Sequence, residues 1–220
     1  MITARVIGLL LGYVFGLFPT GRLVGKAYQT DLRKEGSGNT GMTNSIRVLG
    51  WKAGVIVFFG DCLKAVAAMA IIWLLYRNTF PEAVKLLELY AGIGAVLGHN
   101  YPVYARFKGG KGIACSVGIV FASDWRMVPI CAVLFFLAVV PTGFMSLGSL
   151  AILSGFFVQT VVFGQLGFLK IGADFLPELY IVTAILTGLA FFQHRENLKR
   201  LATGTENKFR PKKSEEREEG

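Results

Sequence analysis

Long apolar blocks broken by short polar stretches constrain this 220-residue chain more than any other feature. A bilayer core of ~30 Å needs ~20 apolar residues in helical conformation. Blocks of that size fall at about 4–27, 53–76, 85–103, 144–163 and 176–193. Hydrophobic residues make up 53% of the chain and charged residues only 17%, against roughly 25% charged in soluble domains. A disordered chain, a soluble enzyme and a basic nucleic-acid-binding domain are excluded, and an all-α integral membrane protein is expected. The first block continues into Gly21-Arg22-Leu23 without a small-residue cleavage pattern, so it reads as a membrane helix rather than a cleaved leader. Gly8, Gly12 and Gly16 give it a small-residue stripe suited to close packing in lipid.

Residues 112–140 are harder to place, because Ser123-Asp124-Trp125-Arg126 interrupts them. Two short spans or one re-entrant hairpin both return the chain to the same side. Charge then sets the topology. With seven transmembrane helices and the N-terminus outside, the cytoplasmic side gains Arg22, Lys26, Arg33, Lys34, Arg47, Lys52, Arg106, Lys108, Lys111 and a basic C-terminus. Only Arg5, Arg77, Lys85, Arg126 and Lys170 remain outside. This is the positive-inside pattern, and it accounts for the net charge of +9. The expected organisation is a single transmembrane catalytic domain over 1–203 and a charged, disordered cytoplasmic tail over 204–220. Cys62, Cys115 and Cys131 lie in apolar blocks without metal-ligand spacing, so no metal is expected.

Three polar segments stand out, all on the cytoplasmic side of that topology. The first is Gly36-Ser37-Gly38-Asn39-Thr40-Gly41-Met42-Thr43-Asn44, followed by Arg47. Its glycines spell GxGxxG, but a dinucleotide site needs a strand before it and a βαβ unit around it. What remains is a set of amide and hydroxyl arms beside an arginine. The second runs Gly98-His99-Asn100-Tyr101-Pro102, then Phe107-Lys108-Gly109-Gly110-Lys111-Gly112. Gly112 stands where a phosphate loop of the ATPase type carries Ser or Thr, so ATP hydrolysis is disfavoured. Lysines interleaved with glycines before a helix start still suit an anion. The third is His194-Arg195-Glu196-Asn197 with Leu198, Leu201 and Glu206, where His194 and Asn197 share a helix face. Asp61 and Lys64 are spaced to pair inside the second span, and Ser146 and Ser149 open the sixth at its cytoplasmic end.

Together these segments resemble the acyl-phosphate-dependent glycerol-3-phosphate acyltransferases of bacteria, the PlsY family. The resemblance runs over roughly residues 4–206 with the motifs in the same order, and departs at Leu198 and in a longer charged tail. It implies a multi-pass protein of the bacterial inner membrane with its site on the cytoplasmic face. It also implies acyl transfer from a long-chain acyl phosphate to the 1-hydroxyl of glycerol 3-phosphate, giving lysophosphatidic acid. The implied partners are those two substrates, membrane lipid and an upstream enzyme that forms acyl phosphate, with no nucleic acid and no cofactor. The candidate catalytic residues are Ser37, Arg47, His194 and Asn197. The candidate substrate-binding residues are Asn39, Thr43, Asn44, His99, Lys108, Gly109, Gly110, Lys111, Gly112, Ser146 and Glu206. His194 and His99 are candidate bases, the leaving phosphate is a third, and the glycine N–H groups at 109–112 are expected to cradle phosphate. An acyl phosphate is already activated, so a covalent Ser37 intermediate is the weaker route. An organic-phosphate transporter is the alternative of a different class, and it would need polar residues at the membrane midplane. An acyl-CoA-dependent enzyme is disfavoured, since no Asp follows either histidine at the His-x4-Asp spacing.

Overall fold

The computed structural model describes residues 1–209. These residues form ten α-helices: α1 (Ile2–Gly16), α2 (Thr20–Ala27), α3 (Met42–Leu49), α4 (Trp51–Tyr76), α5 (Val84–Asn100), α6 (Ile113–Ser123), α7 (Met127–Thr142), α8 (Met145–Gln165), α9 (Leu176–Gln193) and α10 (Arg195–Ala202). No strand occurs among the described residues. Among the described residues four stretches are long and apolar enough to cross a membrane: Ile2–Ala27, Trp51–Tyr76, Met145–Gln165 and Ala173–Gln193. Their outward faces carry Val6, Leu10, Phe59, Leu63, Val158 and Ile181, all exposed. So large an apolar surface suits lipid, not water.

The first block is not one continuous helix. Leu17, Phe18 and Pro19 separate α1 from α2, because proline supplies no N–H and its ring crowds the preceding turn. The break leaves the Phe18 carbonyl open to a side chain from α4.

Helix α5 is the axis of the bundle. Leu86, Leu87, Ala91 and Ala95 are fully buried, and α5 packs against α1, α4, α6 and α9. Its contact with α1 is backbone to backbone. A β-carbon on Gly12 would stand 1.9 Å from the Ala91 carbonyl, and one on Gly98 would stand 2.2 Å from that of Tyr13. The glycine stripe of α1 therefore meets Ala91, Ala95 and Gly98 and lets the two helices touch along their length. Dispersion between close backbones replaces the hydrophobic drive that lipid removes.

The interrupted stretch forms two helices, α6 and α7, joined through Asp124 to Arg126. Helix α6 packs on α4 and α5, whereas α7 packs on α8. They are separate helices with separate partners rather than a tight hairpin. A β-carbon on Gly118 would meet the Cys62 carbonyl at 2.5 Å, so α6 lies close against α4.

Parallel packing of α1, α5 and α9 sorts the polar groups into two ends. Arg5, Tyr90 and Glu178 meet at one, while Phe18, His99 and His194 belong to the other. The C-terminal segment does not leave the bundle at residue 204. The Phe209 N–H donates to the Gly143 carbonyl at 2.8 Å, and its ring packs edge-on against Trp51. Glu206, bonded to three side chains, draws the segment back. The expected disordered stretch over 210–220 lies outside the described residues.

Candidate active site

The loop before α3 is wound around one side chain. Asn44 is 1% exposed. Its Nδ2 donates to the carbonyls of Leu32, Glu35 and Asn39, and its Oδ1 accepts the Ser37 N–H at 2.8 Å. Gly36 has φ +57, and a β-carbon there would lie 2.4 Å from Asn44 Oδ1. The glycines of this segment allow a tight wrap, and the amide of Asn44 is used up in holding it. The Asn39 side chain accepts the Gly41 N–H at 2.9 Å. Ser37 is exposed, Thr43 and Arg47 are half-buried, and among the described residues Arg47 hydrogen-bonds only to Asn44, at 3.4 Å.

The second segment folds back on the end of α5. The Gly109 N–H donates to the Asn100 carbonyl at 3.0 Å and the Gly110 N–H to the His99 carbonyl at 3.1 Å. Two of the N–H groups expected to cradle phosphate are therefore engaged in the turn itself. The glycines answer a different need, which is room: a β-carbon on Gly110 would fall 2.0 Å from His99 Nε2. Gly112, with φ +78, starts α6, and the first-turn N–H groups that follow have no partner within the helix. Lys108 is exposed and shares a narrow cleft with His99, Gly109, Arg22 and Thr40.

The third segment meets the second through Lys111. Lys111 Nζ donates to Asn197 Oδ1. Asn197 Nδ2 donates to Glu206 Oε1 at 2.7 Å, which also accepts from Ser146 Oγ at 3.0 Å, while Arg200 Nε donates to Glu206 Oε2 at 2.8 Å. Burial pushes the Lys111 ammonium down to about 8, although nearby Glu206 opposes the shift. Burial would raise the Glu206 carboxyl, but the bonds from Asn197, Arg200 and Ser146 hold it below its usual value. His194 is 2% exposed, and its Nδ1 lies 2.8 Å from the Ala190 carbonyl. A carbonyl only accepts, so Nδ1 carries the proton and Nε2 keeps its lone pair. Burial first, then the positive charge of Lys111, pushes His194 down to about 4. It is neutral at pH 7 and weakly basic.

The second and third segments are thus joined directly, and the first approaches them at Thr40, which lines the same cleft as His99 and Lys108. Ser37, Asn39, Thr43 and Arg47 make no hydrogen bond to the other two segments among the described residues. Three groups at this end were read in the sequence as topology charges or an isolated pair. Arg22 lines the cleft and stacks over Tyr104 at 5.0 Å. Arg200 holds Glu206. Asp61 and Lys64 meet His99 from α4, with Lys64 Nζ 2.8 Å from both Asp61 Oδ1 and His99 Nδ1. A polar pair inside an apolar span was the available signal, but its third member lies on another helix. Asp61, His99 and Cys115 place their ligand atoms within 4.8 Å of one another. Lys64 Nζ, 2.8 Å from both Asp61 Oδ1 and His99 Nδ1, already puts a positive charge between two of these three groups, so this set does not suit a divalent ion.

An apolar helical bundle with a cation-rich polar site gathered at one end defines an integral membrane protein built to handle anions. The glycerol-3-phosphate acyltransferase family model matches residues 6–204. Glycerol-3-phosphate acyltransferases of Bacillus velezensis and Bacillus subtilis are 40% and 38% identical, each over 92% of this chain and 96% of the relative. The crystal structure of PlsY (YgiH), an integral membrane glycerol 3-phosphate acyltransferase, in its glycerol 3-phosphate form superposes with a TM-score of 0.78 at 30% identity. It covers 94% of this chain and 96% of that one. Its lysophosphatidic acid form matches at the same TM-score and 29% identity. The chain belongs to the glycerol-3-phosphate acyltransferase family.

Proposed function

We propose that this protein transfers a fatty acyl group from acyl phosphate to the 1-hydroxyl of glycerol 3-phosphate, releasing lysophosphatidic acid and phosphate. The observation that carries the reading is the Lys111–Asn197–Glu206 junction. It sets a half-buried cation and the neutral His194 together at the polar end of a lipid-facing bundle. A water-soluble phosphate ester and a lipid-tailed acyl anhydride can meet only at such a boundary. The seven-crossing topology, with the N-terminus outside and this end at the cytoplasmic face of the bacterial inner membrane, is part of the proposal. The excess of Arg and Lys at this end supports it.

In the proposed reaction the hydroxyl oxygen bonds to the acyl carbon, the anhydride C–O bond breaks, and phosphate leaves with its electron pair. Arg47, Lys108 and Lys111 offset the negative charge of the two substrates. Ser37 and the first turn of α6 bond phosphate oxygens, and Asn39, Thr43, Asn44 and Ser146 shape the surroundings. His194, with a pKa of about 4, orients the attacking hydroxyl through Nε2 and is too weak a base to keep its proton. A phosphate group, whose second pKa is ~6, takes the proton as it departs. The activated donor leaves no step that requires a metal or an acyl-enzyme. An enzyme that forms acyl phosphate is the expected upstream partner.

The test is a purified-protein assay with glycerol 3-phosphate and either palmitoyl phosphate or palmitoyl-CoA, with and without EDTA. Lysophosphatidic acid formed from the acyl phosphate alone, unaffected by EDTA, is the expected result. Turnover with the thioester alone, or phosphate uptake by proteoliposomes without acyl transfer, would overturn the reading.

A further inference from the structure

We propose that the segment after α10 is a strap that holds the site together, and that Phe209 is a positioning residue for this reaction: seated between the α7–α8 corner and the start of α4, it keeps Glu206 on Ser146 and Asn197, and Lys111 with them. The proposal rests on the acyl-transfer reading above.

Gly204, at φ +70, follows the end of α10, and the Thr205 N–H closes onto the Arg200 carbonyl at 2.8 Å. A left-handed glycine at this place reverses the chain, so Glu206 returns over the helix it has just left. Its side chain is 5% exposed, and Asn197, Arg200 and Ser146 donate to it. Residues 205–209 form no helix, and ordering such a stretch costs conformational entropy. An anion buried on it needs a further hold.

Three residues on, Phe209 supplies that hold. Its N–H donates to the Gly143 carbonyl at 2.8 Å, which lies where the end of α7 leaves carbonyls without a helical partner. The strap is thus pinned twice to one corner, Glu206 to Ser146 and Phe209 to Gly143, with the same spacing on both sides. The Phe209 ring meets Trp51 edge-on, with centroids 6.0 Å apart.

Trp51 opens α4 directly after Gly50, whose φ of +92 turns the chain out of α3. Arg47 lies in the last turn of α3. Phe209 therefore ties the third polar segment to the corner that carries the end of the first. From Glu206 the contact runs through Asn197 Nδ2 and Oδ1 to Lys111 Nζ. Glu206 also favours the charged form of Lys111, which burial opposes. Without the ring, that carboxylate is held by fewer contacts and Lys111 loses its fixed neighbour.

Hydrogen–deuterium exchange on the full chain in detergent reads the strap directly, and steady-state kinetics read its consequence. Phe209→Ala should speed exchange in the peptide covering 203–209 by ~10-fold. Its KM for glycerol 3-phosphate should rise ~10-fold with kcat within about twofold of wild type, because Lys111 offsets substrate charge in the ground state as well as in the transition state. A merely structural loss would do the reverse, lowering the active fraction and hence kcat at an unchanged KM. Phe209→Tyr, which keeps the ring, should recover most of the loss. In a Glu206→Gln background, Phe209→Ala should cost less than about twofold more, since both act through one carboxylate. Unchanged exchange, wild-type kinetics, a fall in kcat alone, or full additivity with Glu206→Gln would each overturn the proposal. Should Phe209→Ala fail to fold, Trp51→Ala removes the ring contact from the α4 side and is read in the same way. Wild type unable to form lysophosphatidic acid would instead sink the functional reading, with the exchange measurement still deciding whether Phe209 holds the strap.

Discussion

The two ends of the bundle use charge in opposite ways. At the end holding the start of α1, α5 and α9, the cations that touch the bundle's helices are mostly paired with anions, although Arg77 stacks on Trp73 instead and Lys170 makes no ion pair among the described residues. Arg5 forks onto Glu178 at 2.6 and 2.5 Å, with Tyr90 donating to the same carboxylate at 2.7 Å. Lys85 pairs with Glu88 at 3.0 Å and Arg126 with Asp124 at 2.5 Å. At the other end, Arg22, Lys26, Lys108 and Arg47 make no ion pair among the described residues, and Lys111 sits half-buried against an amide. The matched end staples helices together. The unmatched end carries positive charge in search of anions, and such a field raises the local concentration of phosphate substrates.

The sharpest way to test this contrast is to remove groups from the unmatched end. His194→Ala and Arg47→Ala should each lower kcat ~10- to 100-fold, the scale of leaving a substrate polar group unsatisfied for His194 and of one lost charge-assisted contact for Arg47, while the folded fraction stays high. Steady-state kinetics on purified variants measure this. A fall confined to KM would move these residues from the reacting atoms to ground-state binding.

Gly110→Ala comes next in size. Its β-carbon meets the His99 ring, so the ring or the turn must shift, and a ~10-fold loss in kcat/KM is expected, mainly as a higher KM for glycerol 3-phosphate. In a His99→Ala background the clash disappears, so the same substitution should cost much less. Such non-additivity marks a shared contact. Additive losses would show that the glycine serves something other than the histidine.

How far the sequence carries the site follows from where its contacts lie. The long spans were readable because lipid imposes ~20 apolar residues on each, and the α1 glycine stripe because its period is local to one helix. The break at Leu17–Pro19 needed Pro19 to be weighed against an otherwise continuous apolar run. Asn44 appeared as one more amide in a polar loop. Only the three carbonyls gathered around it reveal that it organises the loop. The glycines at 109 and 110 read as N–H donors for phosphate because their spacing resembles a phosphate loop, yet their partners are the carbonyls of α5. The Asp61–Lys64–His99 set joins residues 35 positions apart, and no periodicity links α4 to α5. Glu206 was found by resemblance; its three bonds from α8 and α10 supply the physical reason.

A smaller effect should follow pH. Lys111, held near 8, is charged below that value and loses its proton above it. Affinity for glycerol 3-phosphate should therefore weaken as pH rises from 7.5 to 9, by ~10-fold at most, because roughly a tenth of the ammonium remains one unit above its pKa. The limb should appear in kcat/KM, which reports free enzyme. It should be weaker in kcat, because a bound phosphate stabilises the ammonium. Lys111→Arg stays charged throughout and should flatten the limb whatever its absolute rate. A limb unchanged in that variant would assign the titration to another group.

The smallest effect on catalysis belongs to the matched end, and it separates the two kinds of charge most cleanly. Arg5→Ala removes the fork onto Glu178 and leaves Tyr90 as that carboxylate's hydrogen-bonding partner. The contact joins α1 to α9, and Tyr90 extends it to α5, so its loss should loosen the three parallel helices at that end. Both side chains are part exposed, at 20% and 30%, which screens the pair; about 1–2 kcal/mol is expected, seen as a lower unfolding midpoint in detergent. The glycine contacts between α1 and α5 lie between this clamp and the site, and they rest on backbone packing rather than on Arg5. The KM for glycerol 3-phosphate and kcat should therefore stay within about twofold of wild type, a difference of ~0.4 kcal/mol. Arg5→Lys should restore part of the midpoint, since it keeps the charge but not the two-pronged geometry. If Arg5→Ala instead lowered kcat as much as His194→Ala, the ends would be coupled through α1, α5 and α9, and the division between stapling charges and substrate-seeking charges would fail.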